Sequence, residues 1–565
     1  MTRQVAVRRA LGGLAGAAAM IAAITVLSRV LGFARWLVQA HALGAGAISG
    51  AYNAANTLPN ILFEVAAGGA LAGAVVPLLA LPIARGAKHE VDAIASGALG
   101  WTLAVLVPLG GLLAALSGPI AAVWPNLDDA QRDLLRFFVL VFAVQVPMYG
   151  VAVLLYAVLQ AHKRFFWPAF APVLSSLVVI ATYLVYASAS GGERDDPAVA
   201  GHAALEVLAW GTTLGVAAMC LPMFVPVHRL GVRLRPTLRF ASGVGRRLAA
   251  LALAGVGSLV AQQLALLVVI VMSFARGTSG TYPVFLWSQQ VYLLPYAVLV
   301  VPLATSTFPR LAARAAQRHH EAFARMASST TRGVLAAAAL GAAAVAAAAP
   351  AVADVFAAVA GGAGAVDGMG STITAMMPGL VGFAAMFHCS RSLYALERGR
   401  AAVVANVAGW GSVAVATVVA TVLATPDGHD GAATLRALGW ASSVGMLVGG
   451  LCAVLALRRA GGAGVTAGVP RTVAVLAAGG VVGALAGRWV SDECERLVGH
   501  GALSAVVAAA GGAIVAVLVV VVAVAALDRA TVRDLRAVEA EPAPPTRGPA
   551  PGPGAAPATE PVEPA

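Results

Sequence analysis

Two arginines lie inside the first apolar stretch of this chain, in the segment Ser28-Arg-Val-Leu-Gly-Phe-Ala-Arg35. On an α-helix, Arg29 and Arg35 are less than two turns apart, and their side chains point in directions about 120° apart around the helix axis. A guanidinium stays charged in any environment and offers a fork of N–H groups that fits phosphate. The pair therefore predicts an anionic headgroup site in a cavity. The structural alternative is that one arginine extends to the interface and the other forms an ion pair.

Five further polar side chains fall within apolar stretches, where a charge is expected to face a cavity or a partner. Glu64 is the natural counter-charge for one of the two arginines, and it is equally suited to bind a proton or a cation. Gln262, Gln289 and Gln290 either line a polar cavity or form hydrogen bonds across helices. Arg391 either points into the cavity or extends to the interface.

Composition places these residues in a membrane protein. Of the 565 residues, 60% are hydrophobic and 11% are charged, with a mean hydropathy of +0.85. Soluble domains carry about 25% charged residues, so this chain predicts an all-α integral membrane protein. No catalytic motif or metal-ligand spacing occurs, so we expect neither an enzyme nor a cofactor. The net charge of +12 comes from short loops, which excludes a nucleic-acid site.

A helical span needs about 20 mostly apolar residues, and the sequence offers fourteen such segments. They are 14–41, 47–82, 93–118, 134–160, 167–187, 203–226, 248–274, 283–308, 333–358, 372–392, 401–423, 434–457, 471–490 and 502–527. The connections alternate in charge: arginines and lysines such as Arg85 and Lys163 follow even spans, whereas aspartates such as Asp128 follow odd spans. This alternation predicts that both termini are cytoplasmic.

The chain also contains an internal repeat. Leu159-x-Ala161-x-x-Arg164 recurs as Leu393-x-Ala395-x-x-Arg398, and Pro59 in the second span has a counterpart in Pro295 of the eighth. Parallel repeats are a transporter architecture, and matched broken helices indicate moving or site-forming segments. The predicted organisation is a cytoplasmic segment 1–13, an N-lobe 14–226, a basic linker 227–247, a C-lobe 248–457, two further spans in 458–527 and a disordered tail 528–565.

Three stretches carry a resemblance to a known family. They are Ser28 to Arg35 followed by Leu43-Gly-Ala-Gly46, Leu58-Pro-Asn60 leading through Gly69-Ala-Leu71 to Val76-Pro77, and Arg164-Phe with Pro168-Ala-Phe-Ala-Pro172. In these stretches the chain resembles the MurJ (MviN) lipid II flippases of the multidrug/oligosaccharidyl-lipid/polysaccharide exporter superfamily. The resemblance covers essentially all of residues 14–527.

The resemblance implies two six-helix lobes in a V around a cavity, and two C-terminal helices that form a groove for a polyprenyl tail. It implies that the protein exports an undecaprenyl-pyrophosphate-linked peptidoglycan precursor across a bacterial plasma membrane by alternating access. Arg29 and Arg35 would then hold the headgroup. Apart from the resemblance, Glu64 leads us to expect coupling to an ion gradient, with the membrane potential as the alternative energy source. The expected partners are membrane lipids and proteins of cell-wall synthesis or division.

The sequence departs from the family pattern at four positions. The family often has an acidic residue at Gly50, paired arginines at Phe63-Glu64, Glu at Gly68 and Arg at Gln290, so this cavity is expected to be less positive. Two other functions therefore stay open. One is export of another lipid-linked saccharide or a small amphiphile, and the other is a non-transporting membrane scaffold for cell-wall synthesis.

Overall fold

The computed structural model describes residues 2–239, 256–499 and 501–540, and these residues are almost entirely helical. Fourteen long helices, α1 to α14, follow one another in the described part of the chain. In order they are Thr2–Leu43, residues 47–84, Lys88–Ala115, Asp129–Ala161, Phe166–Ala189, His202–Arg229, Val256–Arg276, Thr281–Ala316, His320–Ala360, Met369–Ala395, Gly399–Ala424, Gly431–Gly461, Val469–Val498 and Ala502–Leu527.

Twelve segments within the described ranges, containing α3 to α14, are long and apolar enough to cross a membrane. With α1 and α2 they follow the order of the fourteen predicted spans, so the all-helical membrane fold is confirmed. Residues 248–255 of the predicted seventh span lie outside the described residues, as does the part of the predicted linker from 240 to 247.

The helices pack in two matching sets of six. In the N-lobe, α1 packs on α5, α5 on α6, α2 on α4, α3 on α4 and α4 on α6. In the C-lobe, α7 packs on α11, α11 on α12, α8 on α10, α9 on α10 and α10 on α12. Adding six to each helix number converts the first set into the second, so the two predicted lobes are confirmed as a parallel repeat.

The second helix of each lobe is interrupted by a π-helical turn. In α2 the turn covers Glu64–Gly68, and in α8 it covers Tyr296–Val300. Pro59 and Pro295 lie just before them. A proline cannot donate the helical hydrogen bond, and π turns concentrate at functional sites. The predicted breaks at matching positions are therefore confirmed, and the turn of α2 contacts α7 of the other lobe.

We call the membrane side carrying Lys88 and Lys163 the basic side, and the side carrying Asp128 and Asp195 the acidic side. Helix α1 ends on the acidic side, and α2 begins there at Ala47 and returns to the basic side. Both helices of this pair lie against the C-lobe, because α1 contacts α9 and α2 contacts α7 and α8.

A further helix, α15 (Arg529–Ala540), follows α14, so the prediction of a disordered tail from residue 528 is wrong for this segment. A polar network buried at the basic side holds α15. Arg332 of α9 has a side chain only 8% exposed, and its Nη2 donates to Asp534 Oδ2 over 2.7 Å. Its Nη1 donates to Thr531 Oγ1 over 3.1 Å. Residues 541–565 lie outside the described residues.

Asp528 extends the network to α13, since its carboxylate accepts the hydroxyl of Thr472 at 2.5 Å and that of Thr531 at 2.7 Å. Burial raises the pKa of Asp528, but these hydrogen bonds and the charge of Arg332 outweigh it, so the pKa lies below its ordinary value. The carboxylate is therefore ionised at neutral pH and accepts both hydroxyls. The network joins α13 and α15 to α9 of the C-lobe.

Replacing Asp534 with alanine should destabilise the protein, because it leaves the Arg332 guanidinium buried without its carboxylate. We expect a loss of about 1–3 kcal/mol in the free energy of unfolding, measured as a lower Tm of the detergent-solubilised protein. The control is Asp129→Ala, which removes an exposed carboxylate paired with Arg132. Equal Tm values for the two variants would contradict a stabilising role for the buried pair.

Candidate functional site

A polar cavity of about 350 Å³ lies in the N-lobe beside the C-lobe helix α8. Most of its lining comes from α1, α2, α5 and α6, Tyr149 of α4 adds to it, and Leu286 of α8 contributes from the other lobe. We call it the N-lobe cavity. Its polar lining residues are Arg35, Gln39, Tyr52, Asn53, Asn56, Thr57, Asn60, Tyr149, Ser175, Tyr183 and Thr212.

Three asparagines form one polar stripe on α2, between its acidic-side end and the π turn. Asn53, Asn56 and Asn60 are three and four residues apart, so they share a helix face. The side-chain oxygen of Asn56 is buried and has no hydrogen-bond partner. Buried polar atoms are almost always satisfied, so this oxygen is an acceptor available to the N–H or O–H group of a ligand.

Hydrogen bonds between side chains of different helices hold the wall of the cavity in place. The hydroxyl of Tyr52 lies 3.0 Å from that of Tyr183 and 3.0 Å from that of Thr212. Gln39 donates from Nε2 to Tyr183 over 3.0 Å and to Asn53 Oδ1 over 3.2 Å. Such a network keeps α1, α2, α5 and α6 in register, so the polar groups are positioned before any ligand arrives.

Arg35 is half-buried and lines this cavity. Its guanidinium carbon lies 5.7 Å from the ring centroid of Trp36, and no ion pair with a carboxylate occurs among the described residues. Arg29 is exposed, about 9 Å further along α1 toward the basic side. It does not line the cavity, so the two arginines form a series along α1 rather than one clamp.

Glu64 is half-buried and is the first residue of the π turn in α2. In the described part of the chain it forms no ion pair with Arg29 or Arg35, so the suggested pairing is absent from this conformation. The turn that carries it contacts α7. Phe63 beside it is buried against Tyr149, with ring centroids 5.7 Å apart, so this position packs the core of the N-lobe.

The glutamines of the C-lobe separate into two environments. Gln262 of α7 and Gln289 of α8 line a second cavity of about 240 Å³, together with aromatic side chains that include Tyr292 and Trp410. Gln290 is half-buried and lines neither this cavity nor the N-lobe cavity. The first two helices of each lobe thus line a cavity, but only the N-lobe cavity contains an arginine.

Arg391 lies at neither cavity. Its guanidinium carbon is 4.2 Å from the ring centroid of Phe387, a cation–π distance. That ring lies 5.4 Å from Tyr296, the first residue of the π turn in α8. Glu64 and Arg391 are therefore each associated with one of the two matching π turns.

Hydrogen bonds between the lobes close the acidic side above the N-lobe cavity. Arg194, in the loop between α5 and α6, donates from Nη1 across to the carbonyl of Ala360 in the C-lobe over 2.8 Å, and from Nη2 to the carbonyl of His41 in its own lobe over 2.7 Å. Asn126 donates to the carbonyl of Phe274 over 2.8 Å. These bonds link α1 to the end of α9, and the loop after α3 to the end of α7, and we call them the acidic-side closure.

Two further bonds between the lobes lie closer to the cavity. Trp287 donates to Gln39 Oε1 over 3.1 Å, and the hydroxyls of Thr57 and Tyr282 lie 3.0 Å apart. Gln39 and Thr57 also line the cavity. The N-lobe cavity is therefore shut toward the acidic side by residues that belong to the cavity itself.

Gly50 lies at a close contact between the lobes, near the acidic-side closure. A Cβ atom at Gly50 would overlap the carbonyl oxygen of Ser279 in the loop between α7 and α8. The missing side chain allows α2 to approach the C-lobe main chain in this conformation. The departure from the family pattern at Gly50 therefore coincides with close contact between the lobes.

Sequence reasoning missed most of the polar cavity wall. Asn53, Asn56 and Asn60 carry a signal, since their spacing defines one face of an otherwise apolar helix. Gln39 is also recognisable, because it follows Arg35 by one helical turn. Tyr183 and Thr212 come from distant spans with no distinguishing pattern, so only the packing of α5 and α6 reveals them.

The fold is that of two-lobed membrane transporters. A lipid II flippase MurJ in an inward closed conformation aligns over 91% of this chain and 99% of its own, with a TM-score of 0.69 and 16% identity. An inward-facing multidrug resistance MATE family transporter of the MOP superfamily aligns over 78% of this chain and 98% of its own, with a TM-score of 0.62 and 14% identity.

The sequence defines the family more closely. Residues 39–493 match the family model for the lipid II flippase MurJ, and the chain belongs to this family. A probable lipid II flippase MurJ of Rhizobium meliloti is 29% identical over 303 residues, which cover 52% of this chain and 54% of the relative. Its counterpart in Haemophilus influenzae is 31% identical over 317 residues, or 53% and 57%. The matches span about half the length of these curated relatives.

Replacing Gly50 with alanine should open the acidic side, because the new Cβ overlaps the Ser279 carbonyl. In a variant whose four native cysteines are replaced, we expect a cysteine at Asn53 to react faster with a membrane-impermeant thiol reagent added from the acidic side. The matched control is Gly111→Ala, also within a helix, where an added Cβ meets open space. An unchanged labelling rate in Gly50→Ala would show that this contact does not hold the lobes together.

Proposed function

We propose that the protein is a flippase that moves a lipid-linked peptidoglycan precursor, lipid II, across the membrane by alternating access. The observation that carries the proposal is the half-buried, carboxylate-free Arg35 in a cavity of amides and hydroxyls beside the opposite lobe. Family membership supports the same activity. The cavity around Arg35 and the family membership together support lipid II as the proposed cargo.

The chemistry of the cavity suits a pyrophosphate-linked saccharide. The Arg35 guanidinium supplies charge-assisted hydrogen bonds to an anionic group. Asparagine, glutamine and tyrosine side chains both donate and accept, as sugar hydroxyls and peptide amides require. The free oxygen of Asn56 would accept from one of these groups. Arg29, further toward the basic side, would meet the anionic group first.

The size of the cavity sets a condition on transport. About 350 Å³ is at the low end of the range for ligand pockets. A saccharide-peptide headgroup exceeds this volume, so loading requires the lobes to part at the basic side. The present conformation, with its acidic side closed, would precede loading, and release would require the acidic-side closure to break.

We place the basic side in the cytoplasm of a bacterial cell and both termini on that side. The reason is the excess of arginine and lysine in the connections there. Cargo would then move from the inner to the outer leaflet, entering near Arg29 and leaving past Arg194. The basic-side loops and the segment 541–565 are the surfaces proposed for cell-wall synthesis or division proteins.

Energy coupling is assigned to the π turn of α2. Glu64 is half-buried where this turn contacts α7, so a proton or cation bound there would change the contact between the lobes. Membrane potential acting on Arg29 and Arg35 is the other source, since a charge gains about 2.3 kcal/mol per 100 mV crossed. In this proposal the arginines that bind the cargo, Arg29 and Arg35, lie on α1, and the coupling carboxylate of Glu64 lies on α2.

Arg35→Ala should lower export by about 10- to 100-fold, because one charge-assisted hydrogen-bonding partner contributes about 1.5–3 kcal/mol. Export is measured as lipid II reaching the outer leaflet of flippase-depleted cells that express the variant. Arg35→Lys keeps the charge but loses the fork, and should retain part of the activity. The control is Arg229→Ala at the exposed basic end of α6.

Wild-type export by membrane-inserted Arg35→Ala would overturn the proposed headgroup site. If the unaltered chain inserts but does not restore lipid II export, the cargo is another lipid-linked saccharide or an amphiphile. A scaffold role would instead make deletion of 541–565 more damaging than loss of Arg35. The three outcomes therefore test separately the headgroup site, the identity of the cargo and whether the protein transports at all.

Glu64→Gln should abolish the dependence of export on an imposed ion gradient, because the amide neither ionises nor binds a proton. Export by proteoliposomes is compared with and without the gradient for each variant. The matched control is Glu206→Gln, an exposed carboxylate at the acidic side. A gradient response that survives in Glu64→Gln would remove this residue from the coupling mechanism.

A further inference from the structure

An apolar groove of about 910 Å³ lies on the N-lobe. It runs between α3 and α6, and α4 forms its floor. Leu99 and Val227 are buried at its base, whereas Val107 and Leu221 are more than half exposed at its rim. We call it the lateral groove, and neither the arginines nor the amides of the proposed transport site line it.

The lateral groove faces away from the opposite lobe. Helix α4 contributes Pro147 and Val151 to the groove, whereas Tyr149 of the same helix lines the N-lobe cavity. Residues two apart on an α-helix point about 200° from each other. The groove therefore opens on the side of the lobe away from the N-lobe cavity, where its apolar rim is exposed.

An extended segment closes the basic end of the groove. After α6 the chain runs along α3, where Arg233 donates its main-chain N–H to Asp92 over 2.9 Å. The main-chain N–H of Arg235 donates to Ser96 over 3.0 Å, and Ser96 donates to the carbonyl of Arg233 over 3.1 Å. These bonds fix the backbone of the segment against α3.

The fixed backbone presents two arginines to the groove. Arg233 and Arg235 both line it and are exposed. Residues two apart on an extended chain share one face, so the two guanidinium groups lie on the same side of the segment. Neither forms an ion pair in the described ranges. The groove thus ends in two guanidinium groups that have no ion-pair partner among the described residues, and the carboxylate of Asp92 lies against the main chain of Arg233.

The apolar part of the groove fits within the hydrocarbon layer of one leaflet. From Leu99 to Val107, α3 rises by about 12 Å away from the arginines. This length lies within one leaflet, since the hydrocarbon core is about 30 Å thick. The combination is an apolar trough along the membrane normal with a cationic end at the basic side.

We propose that the lateral groove binds an anionic phospholipid from the leaflet on the basic side. Its phosphate would lie on Arg233 and Arg235, and one acyl chain would lie along α3, α4 and α6. A phospholipid is preferred over a protein partner because the trough lies at hydrocarbon depth. The proposal is independent of flippase activity, since none of these residues belongs to the transport cavity.

The test uses full-length protein in lipid nanodiscs that contain phosphatidylglycerol or phosphatidylcholine with a photoreactive acyl chain. Mass spectrometry of the cross-linked peptides locates the label. We expect labelling of α3, α4 and α6 at the groove with phosphatidylglycerol in clear excess over phosphatidylcholine. Arg233→Gln and Arg235→Gln should each reduce labelling about fivefold, and together about 25-fold, at about 1 kcal/mol per arginine near an anionic surface.

Two controls make the result decisive. Arg398→Gln removes a basic-side charge outside the groove and should leave labelling unchanged. Leu103→Trp fills the trough and should reduce labelling with both arginines in place, in protein whose Tm shows that it is folded. Equal labelling with both lipids, labelling unaffected by the double variant, or displacement by polyprenyl phosphate alone would each overturn the proposal.

Discussion

The hydrogen-bonding requirement of the polypeptide backbone in lipid governs this structure. No water is available there to pair with N–H and C=O groups, so each span must satisfy its own backbone as a helix. The two π turns, at Glu64–Gly68 and Tyr296–Val300, are departures from this rule at matching positions. The turn of α2 lies where the lobes meet, so the irregular backbone has protein contacts from α7 of the other lobe.

Sequence patterns define the lobes well because hydrophobicity and loop charge are properties of single segments. The short repeat around Leu159 and Leu393 and the prolines at 59 and 295 also predict the parallel relation of the lobes. The cavity is harder to predict from the sequence, because its lining residues come from several different segments. Arg35 is recognisable by its cost in lipid, whereas Tyr183 and Thr212 acquire a role only when α5 and α6 pack beside α1 and α2.

The places where sequence reasoning failed have physical causes. Glu64 is the acidic residue in the span that follows the two arginines, but the π turn that carries it contacts α7, and it forms no ion pair with either arginine in the described part of the chain. The segment after Asp528 is polar and looks unstructured, yet the ion pair between Arg332 and Asp534 and the hydrogen bonds of Thr531 and Asp528 hold it against the C-lobe as a helix. Long-range polar contacts outweigh local composition here.

The acidic-side closure determines which of its positions tolerate substitution. Arg194 and Asn126 donate to the main-chain carbonyls of His41, Ala360 and Phe274, so the acceptors do not depend on the side chains at those three positions. Substitutions there can accumulate without removing a bond, whereas the donors have no such freedom. A genetic screen for altered closure would therefore recover substitutions of the donors, Arg194 and Asn126. Variation of the side chains at the three acceptor positions would give no sign that their carbonyls take part.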